Sequence, residues 1–492
     1  MKKELEKIKD FLNNYKLSII IIYIVSFLLY GFKLFNYSIS IDTEYLINNF
    51  DNQIMAWNSI GRFSLGILKH LFLMNPFNYY LSNLFVIILF PLAIIMLAYI
   101  INSKCKINKL NNLKLILFSL IIITSPILLE QFNFTLQCAE VVLSFLIFDL
   151  GIYCFLKYLD NNRKYLLAIS IICFIENIGC YQSFLTLIIS VLVAVLLLKN
   201  IDNSDKKFNK KYIIYSIITI VLSLIGYLIV GKIVNSVYNI ESTSYLKDQI
   251  LWLNGINSTE IINLLKHICE VFVGYGLYYN LIYFLGLIVI FISIFKNRKN
   301  AFNIILFICL LISPFLLSIF LGSMEVIRAQ FSIPITFSII LLFMNPFKSN
   351  KVNVGYYILI IIYIYLQFRT SSYLLVSDYN RYKEDERLAT QIVSRLGNKF
   401  DKDLTIIFIG KKNMSDKLIG ETIGHSFFEW DSEAIYGINM RANGFMKTIG
   451  YEYNMPTVTQ YKEAQKESNN MDVWPSDNSI LEKDEYIIIK LS

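Results

Sequence analysis

The stretch LFVIILFPLAIIMLAYII, from Leu84 to Ile101, decides the fold of this chain. It carries no charged residue. The hydrocarbon core of a bilayer is about 30 Å thick and takes roughly 20 apolar residues per helix. Leu17–Leu29 before it and Tyr356–Leu366 after it have the same character. Over 492 residues the hydrophobic share is 55% and the mean hydropathy +0.53. Soluble domains sit nearer about 45–50%. The excess lies in long runs, so the chain reads as an all-α polytopic membrane protein. The runs predict eleven spans, at about 17–36, 80–101, 112–130, 136–157, 164–178, 183–199, 212–232, 277–295, 301–321, 329–346 and 353–372. The fifth and sixth are short and predict a tight helical hairpin turning at Gly179, Cys180, Tyr181 and Gln182.

The net charge of +8 follows the alternation of these spans. With the N-terminus inside, cytoplasmic segments hold 22 lysines and arginines, including Lys106, Lys206, Lys207, Lys299 and Lys348. The opposite loops and helix ends hold 8: Lys33, Arg62, Lys69, Lys232, Lys247, Lys266, Arg328 and Arg369. Cytoplasmic loops are the ones enriched in such residues. The charge is therefore a topology signal that needs no nucleic acid partner. It places the first loop, 37–79, and the C-terminal tail outside. The start, Met1-Lys2-Lys3 before an apolar run, lacks a small-residue cleavage site, so a retained first helix is expected.

The seven cysteines lie mostly in or beside apolar runs and show no CxxC spacing, which points to packing. Three scattered histidines give no metal-ligand spacing. Residues 376–492 change composition and predict a second unit, a small extracytoplasmic α/β domain beyond the membrane domain of 1–375. Tyr382, Leu388, Ile392 and Leu396 recur at helical spacing, and 404–410 and 486–491 read as buried strands. Two apolar stretches in the loop 233–276, one around Tyr245 to Leu253 and one from Ile261 to Val271, predict interfacial helices.

The ionisable residues collect at one depth. Asp42, Glu44, Asp51 and Arg62 belong to the first loop. Glu130 ends the third span and Glu140 starts the fourth. Glu176 and Gln182 flank the hairpin tip, and Glu325 and Arg328 sit between spans nine and ten. All fall at outer helix ends; Asp149 is the exception. An ion-coupled transporter keeps such groups near the midplane, whereas an enzyme acting on a lipid headgroup needs them at one interface. Each also has a structural reading. Asp42 can cap a helix running through Trp57, with Glu44 in its first turn. Arg62 and Arg328 can snorkel, and Glu130 and Glu140 can be idle helix-end acids. Tyr181 and Gln182 can satisfy backbone at the turn, and Trp57 and Tyr45 can be ordinary interfacial aromatics.

At these residues the chain resembles the bacterial and phage polytopic glucosyltransferase family that modifies O-antigen and related surface glycans. Ile41-Asp42-Thr43-Glu44, Trp57 and Gly61-Arg62 match the order of its acidic first-loop motif, tryptophan and Gly-Arg pair. Tyr181-Gln182-Ser183 resembles its Tyr-Gln turn, and Glu325-Val326-Ile327-Arg328 before Pro334 its later outer-loop arginine. The similarity covers roughly 35–350. The ending, from Trp474-Pro475 to Tyr486–Leu491, also resembles family members. More typical members have consecutive acids where this chain has Asp42-Thr43-Glu44.

The resemblance implies a GT-C-like fold in the bacterial cytoplasmic membrane. It implies a polyprenyl-phosphate-linked glucose donor and a cell-surface polysaccharide acceptor, with the bilayer as a partner. Asp42 or Glu44 is then the expected base. Arg62 and Arg328 are the expected phosphate ligands, and Trp57, Glu130, Glu140, Tyr181, Gln182 and Glu325 the substrate-binding set. No cofactor is expected, although Asp42 with Glu44 leaves room for a divalent metal. A lipid-linked saccharide flippase, a polysaccharide polymerase or ligase, and a non-catalytic scaffold are the other readings of the same residues.

Overall fold

The computed structural model describes residues 2–72, 75–105, 108–202, 210–241, 248–255, 257–298, 300–347, 349–413 and 423–492. Lys106, Lys206, Lys207, Lys247, Lys299 and Lys348 of the charge asymmetry lie outside the described residues, as do Met1 and Tyr245.

The described residues are mostly helical, with one small sheet among them. Asparagines start several of the apolar helices. The side chains of Asn78, Asn111 and Asn300 accept from Leu81, Lys114 and Asn303 backbone N–H groups. Buried hydroxyls tie neighbouring helices to backbone oxygen: Tyr30 donates to the Ile123 carbonyl at 2.9 Å, Tyr212 to that of Leu192 at 2.9 Å and Ser338 to that of Phe118 at 2.8 Å. Among the described residues, six helices are long and apolar enough to cross a membrane: Tyr79–Asn102, Cys138–Asn161, Phe184–Ile201, Lys210–Val237, Ala301–Leu321 and Asn350–Lys399. The number is up to eight if two bent pairs each count as one span. Those pairs are Glu6–Asn14 with Lys16–Tyr30, bent by 73°, and Asn112–Ile123 with Pro126–Asn133, bent by 53°.

Every one of the eleven predicted segments contains a helix, yet this count falls short of eleven for a geometric reason. Ile282–Lys296 and Ser332–Phe343 have 15 and 12 residues. At about 1.5 Å per residue they rise roughly 20 Å, less than a bilayer core. Lys164–Cys180 has 17. It stops at an extended Tyr181, and the next helix starts at Phe184.

The predicted last span and the predicted helix after Asp378 are one helix, Asn350–Leu396. Between Tyr356 and Leu396 there is no glycine or proline to break it. Gly397, at φ 55°, ends it. Its later half buries Tyr382, Leu388, Ile392 and Leu396. The two expected strands hold β1 (Ile406–Ile409) and β3 (Ile487–Lys490), which pair in parallel with Ile406 opposite Ile487. β2 (Ile480–Glu482) adds an antiparallel edge to β3, giving the order β1-β3-β2. The parallel pair needs a crossover, and the helices Asn439–Thr448 and Val458–Glu467 lie in it. In the 233–276 loop, Ser258–Val273 is a helix that buries Leu264, His267 and Val271. In the other apolar stretch, the described residues include a short 3-10 turn, Leu251–Asn254.

A buried ionic latch joins the long helix to the first loop. Lys33 Nζ lies 3.2 Å from Asp378 Oδ2, and Arg381 pairs with Asp378 at 3.0 Å and Asp385 at 3.2 Å. Arg381 Nη2 also donates to the Ile39 carbonyl at 2.7 Å. This fixes the backbone three residues before Asp42.

Candidate functional site

The first loop folds into two short helices, Thr43–Asn48 and Phe50–Ser59, broken at Asn49. Asp42 sits at the N-cap position of the first, in the left-handed region at φ 68°. That conformation is costly for a residue with a Cβ and favours functional sites. Its side chain makes no capping bond; it turns instead to Arg441 of the Asn439–Thr448 helix. Arg441 Nη1 donates to Asp42 Oδ1 at 2.6 Å and to Glu44 Oε1 at 3.0 Å, while its Nε donates to Asp431 Oδ2 at 2.6 Å. Three carboxylates share one guanidinium. Asn48 pins the two segments together by donating to the Gly444 carbonyl at 2.9 Å. A Cβ at Gly444 would lie 3.0 Å from Glu44 Cγ, so glycine permits the close approach.

The two acids differ in environment. The Asp42 side chain is 35% exposed and that of Glu44 2%. Burial pushes the Glu44 carboxyl up to about 7; Arg441 opposes this and Asp42 adds to it. Glu44 Oε2 has no hydrogen-bond partner. The Arg441 guanidinium lies between the two acids. Among the described residues, no group of three or more His, Cys, Asp or Glu is arranged to hold one.

A second cluster forms where the first loop meets the hairpin turn. Arg62 stacks over the Tyr181 ring at 4.4 Å and its Nε donates to Gln182 Oε1 at 3.4 Å. Gln182 Nε2 donates to the Ile60 carbonyl at 3.0 Å and to the Tyr227 hydroxyl at 3.3 Å. Gly61, at φ 77°, carries the turn that delivers Arg62. Next along the chain, Ser183 donates to Glu325 Oε2 at 3.1 Å, and Ser318 donates to Glu325 Oε1 at 3.2 Å. Burial raises the Glu325 carboxyl to about 7. Arg328 lies 4.3 Å from the Phe134 ring centre and 3.8 Å from Glu130 Oε1.

A third cluster is a buried ion pair between Lys69 and Glu140 at 3.0 Å, with side chains 0% and 1% exposed. Lys69 Nζ lies 5.7 Å from the centre of the Trp57 ring. Trp57 is therefore buried against a cation.

The ten predicted residues thus fall into separate contact groups: Asp42 with Glu44 on Arg441, Arg62 with Tyr181 and Gln182, Arg328 with Glu130, Glu140 with Trp57 through Lys69, and Glu325 held by Ser183. Among the described residues no hydrogen bond or ion pair joins Asp42 to Arg62. A cleft of about 460 Å³ lies elsewhere, lined by Arg387, Arg395, Lys412 and Trp474 among others, and none of the ten lines it.

Residues 31–345 match the family model described as Glucosyl transferase GtrII. The chain belongs to this family. Glycosyltransferase activity follows from that membership. All ten predicted residues fall within the matched span, whereas Arg441 and Asp431 lie beyond it. No curated protein matches the chain. The sequence reading missed Arg441, Asp431, Tyr227 and the role of Lys69. Lys69 did carry a signal, since a lysine in an apolar helix calls for a buried partner. Arg441 carried none, being one basic residue in a segment without a motif. In this GtrII family member, the acidic motif is thus completed from outside the family-matched region.

Proposed function

We propose that the protein transfers a glucosyl or other hexosyl unit from a polyprenyl-phosphate-linked donor to a surface polysaccharide such as O-antigen, at the outer face of the cytoplasmic membrane. The observation that carries this reading is the pairing of Asp42 and Glu44 on Arg441, in the same first loop whose end brings Arg62 to Tyr181 and Gln182.

Asp42 is the general base. It is the more exposed of the two acids, and a base must come within about 3 Å of the acceptor hydroxyl. It takes the hydroxyl proton as the acceptor oxygen bonds to the anomeric carbon. The bond from that carbon to the phosphate oxygen breaks, and the polyprenyl phosphate leaves with the electron pair. Arg62 and Arg328 receive the leaving charge. Each lies against an aromatic ring, and its N–H groups beyond the bond to Gln182 or the ion pair with Glu130 can donate to phosphate. Glu44, whose carboxyl burial pushes up to about 7, works through Arg441 and so positions Asp42. A single displacement inverts the anomeric configuration. Arg441 gives the C-terminal segment a direct part in the site, with acceptor binding as its further role.

The test is transfer by the purified full chain in lipid. Polyprenyl-phosphate glucose is expected to glucosylate the polysaccharide with inversion, read by NMR of the product. Equal incorporation from a nucleotide sugar without the lipid carrier sinks the donor assignment.

A further inference from the structure

The segment between the Pro126–Asn133 and Cys138–Asn161 helices holds more buried polarity than its packing uses. Gln131 and Gln137 are fully buried, and Asn133 and Glu140 nearly so. Both amide atoms of Gln131, both of Gln137, Asn133 Oδ1 and Glu140 Oε2 have no hydrogen-bond partner. The large majority of buried polar side-chain atoms in native structures are paired. Leaving them unpaired in an apolar surround is costly. So many in one short segment mark a place where a polar group belongs.

The segment also lies against the acid loop. Thr135 Oγ1 is 3.3 Å from Thr43 Oγ1, and Thr43 stands between Asp42 and Glu44. At its other end Glu140 pairs with Lys69, beside Trp57. Gln137 therefore lies along the chain between a contact to the proposed base's loop and one to the lysine beside Trp57, with Gln131 and Asn133 just ahead of Thr135.

We infer that Gln131, Asn133, Gln137 and Glu140 form the subsite that holds the neutral hexosyl unit of the donor. This rests on the proposed function and names its sugar-binding residues. A carboxamide offers both acceptor and donors, which matches a hydroxyl that donates and accepts. Lys69 already balances the charge of Glu140, so the subsite favours a neutral polyol over an anion. The phosphate is left to the arginines.

The experiment compares wild type with Gln131→Leu, Gln137→Leu and Gln137→Asn, each as the full chain in lipid nanodiscs. The probes are a short-chain polyprenyl phosphate and the same lipid bearing glucose. Wild type is expected to bind the glucosylated lipid at least about tenfold more tightly than the bare one, a difference within reach of hydrogen-bonded recognition. The leucine variants should lose that preference and keep their affinity for the bare lipid, which also shows that they are folded. Gln137→Asn should fall between. A preference retained in both leucine variants overturns the subsite. So does a wild type that binds the two lipids alike, the result expected if only water fills these sites. If the leucine variants do not fold, an undiminished preference in Gln137→Asn overturns it. A preference that the variants abolish, in a protein that transfers glucose to no acceptor, removes the proposed function and leaves the subsite standing. Transfer by a wild type without the preference does the reverse.

Discussion

The region matched by the glucosyltransferase family supplies two acids to one cluster, and the region beyond it supplies the cation that joins them. Residues 31–345 supply Asp42 and Glu44; the later chain supplies Arg441, and Asp431 to orient it. The acids alone would repel each other, and one of them is buried. A buried carboxylate is tolerable when a cation and hydrogen bonds compensate it. The comparison teaches that the motif is only half of its own electrostatics. The hairpin-turn cluster is built otherwise: Arg62, Tyr181, Gln182 and Tyr227 all come from the matched region and hold one another.

The sharpest way to break this comparison is Asp42→Asn. If Asp42 is the base, transfer should fall by about a thousandfold at equal membrane abundance, within the range for general-base catalysis. Glu44→Gln, which keeps a hydrogen-bond acceptor for Arg441, should cost much less. Equal loss in both would remove the distinction between base and positioning acid.

Arg441→Gln comes next, with an expected loss of about ten- to a hundredfold in kcat/KM. It carries a second readout. Burial pushes the Glu44 carboxyl up to about 7 despite the opposing pull of Arg441. Below that pH Glu44 is protonated, and Arg441 is left to Asp42 and Asp431; above it Glu44 shares the guanidinium. Activity should thus rise with pH through an apparent pKa near 7. Glu44→Gln should abolish the inflection, and Arg441→Gln should move it upward. Stability has the reverse sign. The folded chain keeps the proton up to about 7, while an unfolded glutamate releases it near about 4.3, so stability is lost as pH rises between the two. A flat wild-type pH profile would refute the coupling.

Much of the fold was legible because apolar runs and their polar ends are local signals. The helices at each predicted segment, and the strands at 404–410 and 486–491, follow from composition over short windows. Span number was less legible, because an apolar run of 20 residues need not be one straight helix: Pro126 follows a bend, and Tyr181 adopts an extended backbone that ends a helix. The ten candidate residues were legible as helix-end ionisable groups and motif neighbours. Their pairings were not. Arg441 lies about 400 positions from Asp42, and a single sequence holds no trace of that contact. Gln131 and Gln137 read as ordinary polar residues near a span end; only their full burial without partners sets them apart.

The hairpin-turn cluster sharpens the other side of the comparison. Arg62→Ala should raise KM for the lipid donor by about tenfold and leave the pH inflection of Glu44 in place, since no ion pair joins the two clusters among the described residues. A shift of that inflection would show that they are coupled.

The smallest expected effect tests how Arg62 is delivered. Gly61 has φ 77°, and a Cβ there would sit 2.3 Å from the Tyr227 hydroxyl oxygen, with the ring carbon bearing it at 3.2 Å. Gly61→Ala therefore meets two obstacles, a left-handed backbone that costs a residue with Cβ about 1–2 kcal/mol and a clash with one oxygen. Both would be relieved by moving the turn, and with it the Arg62 side chain away from Tyr181. KM for the donor should rise by about fivefold, less than in Arg62→Ala, because the guanidinium remains. Adding Tyr227→Phe removes the clashing oxygen but leaves the backbone cost, so the double variant should recover only part of the loss. Full recovery would assign the glycine to space alone. No recovery would assign it to the backbone, and the Tyr227 hydroxyl would keep only its bond to Gln182.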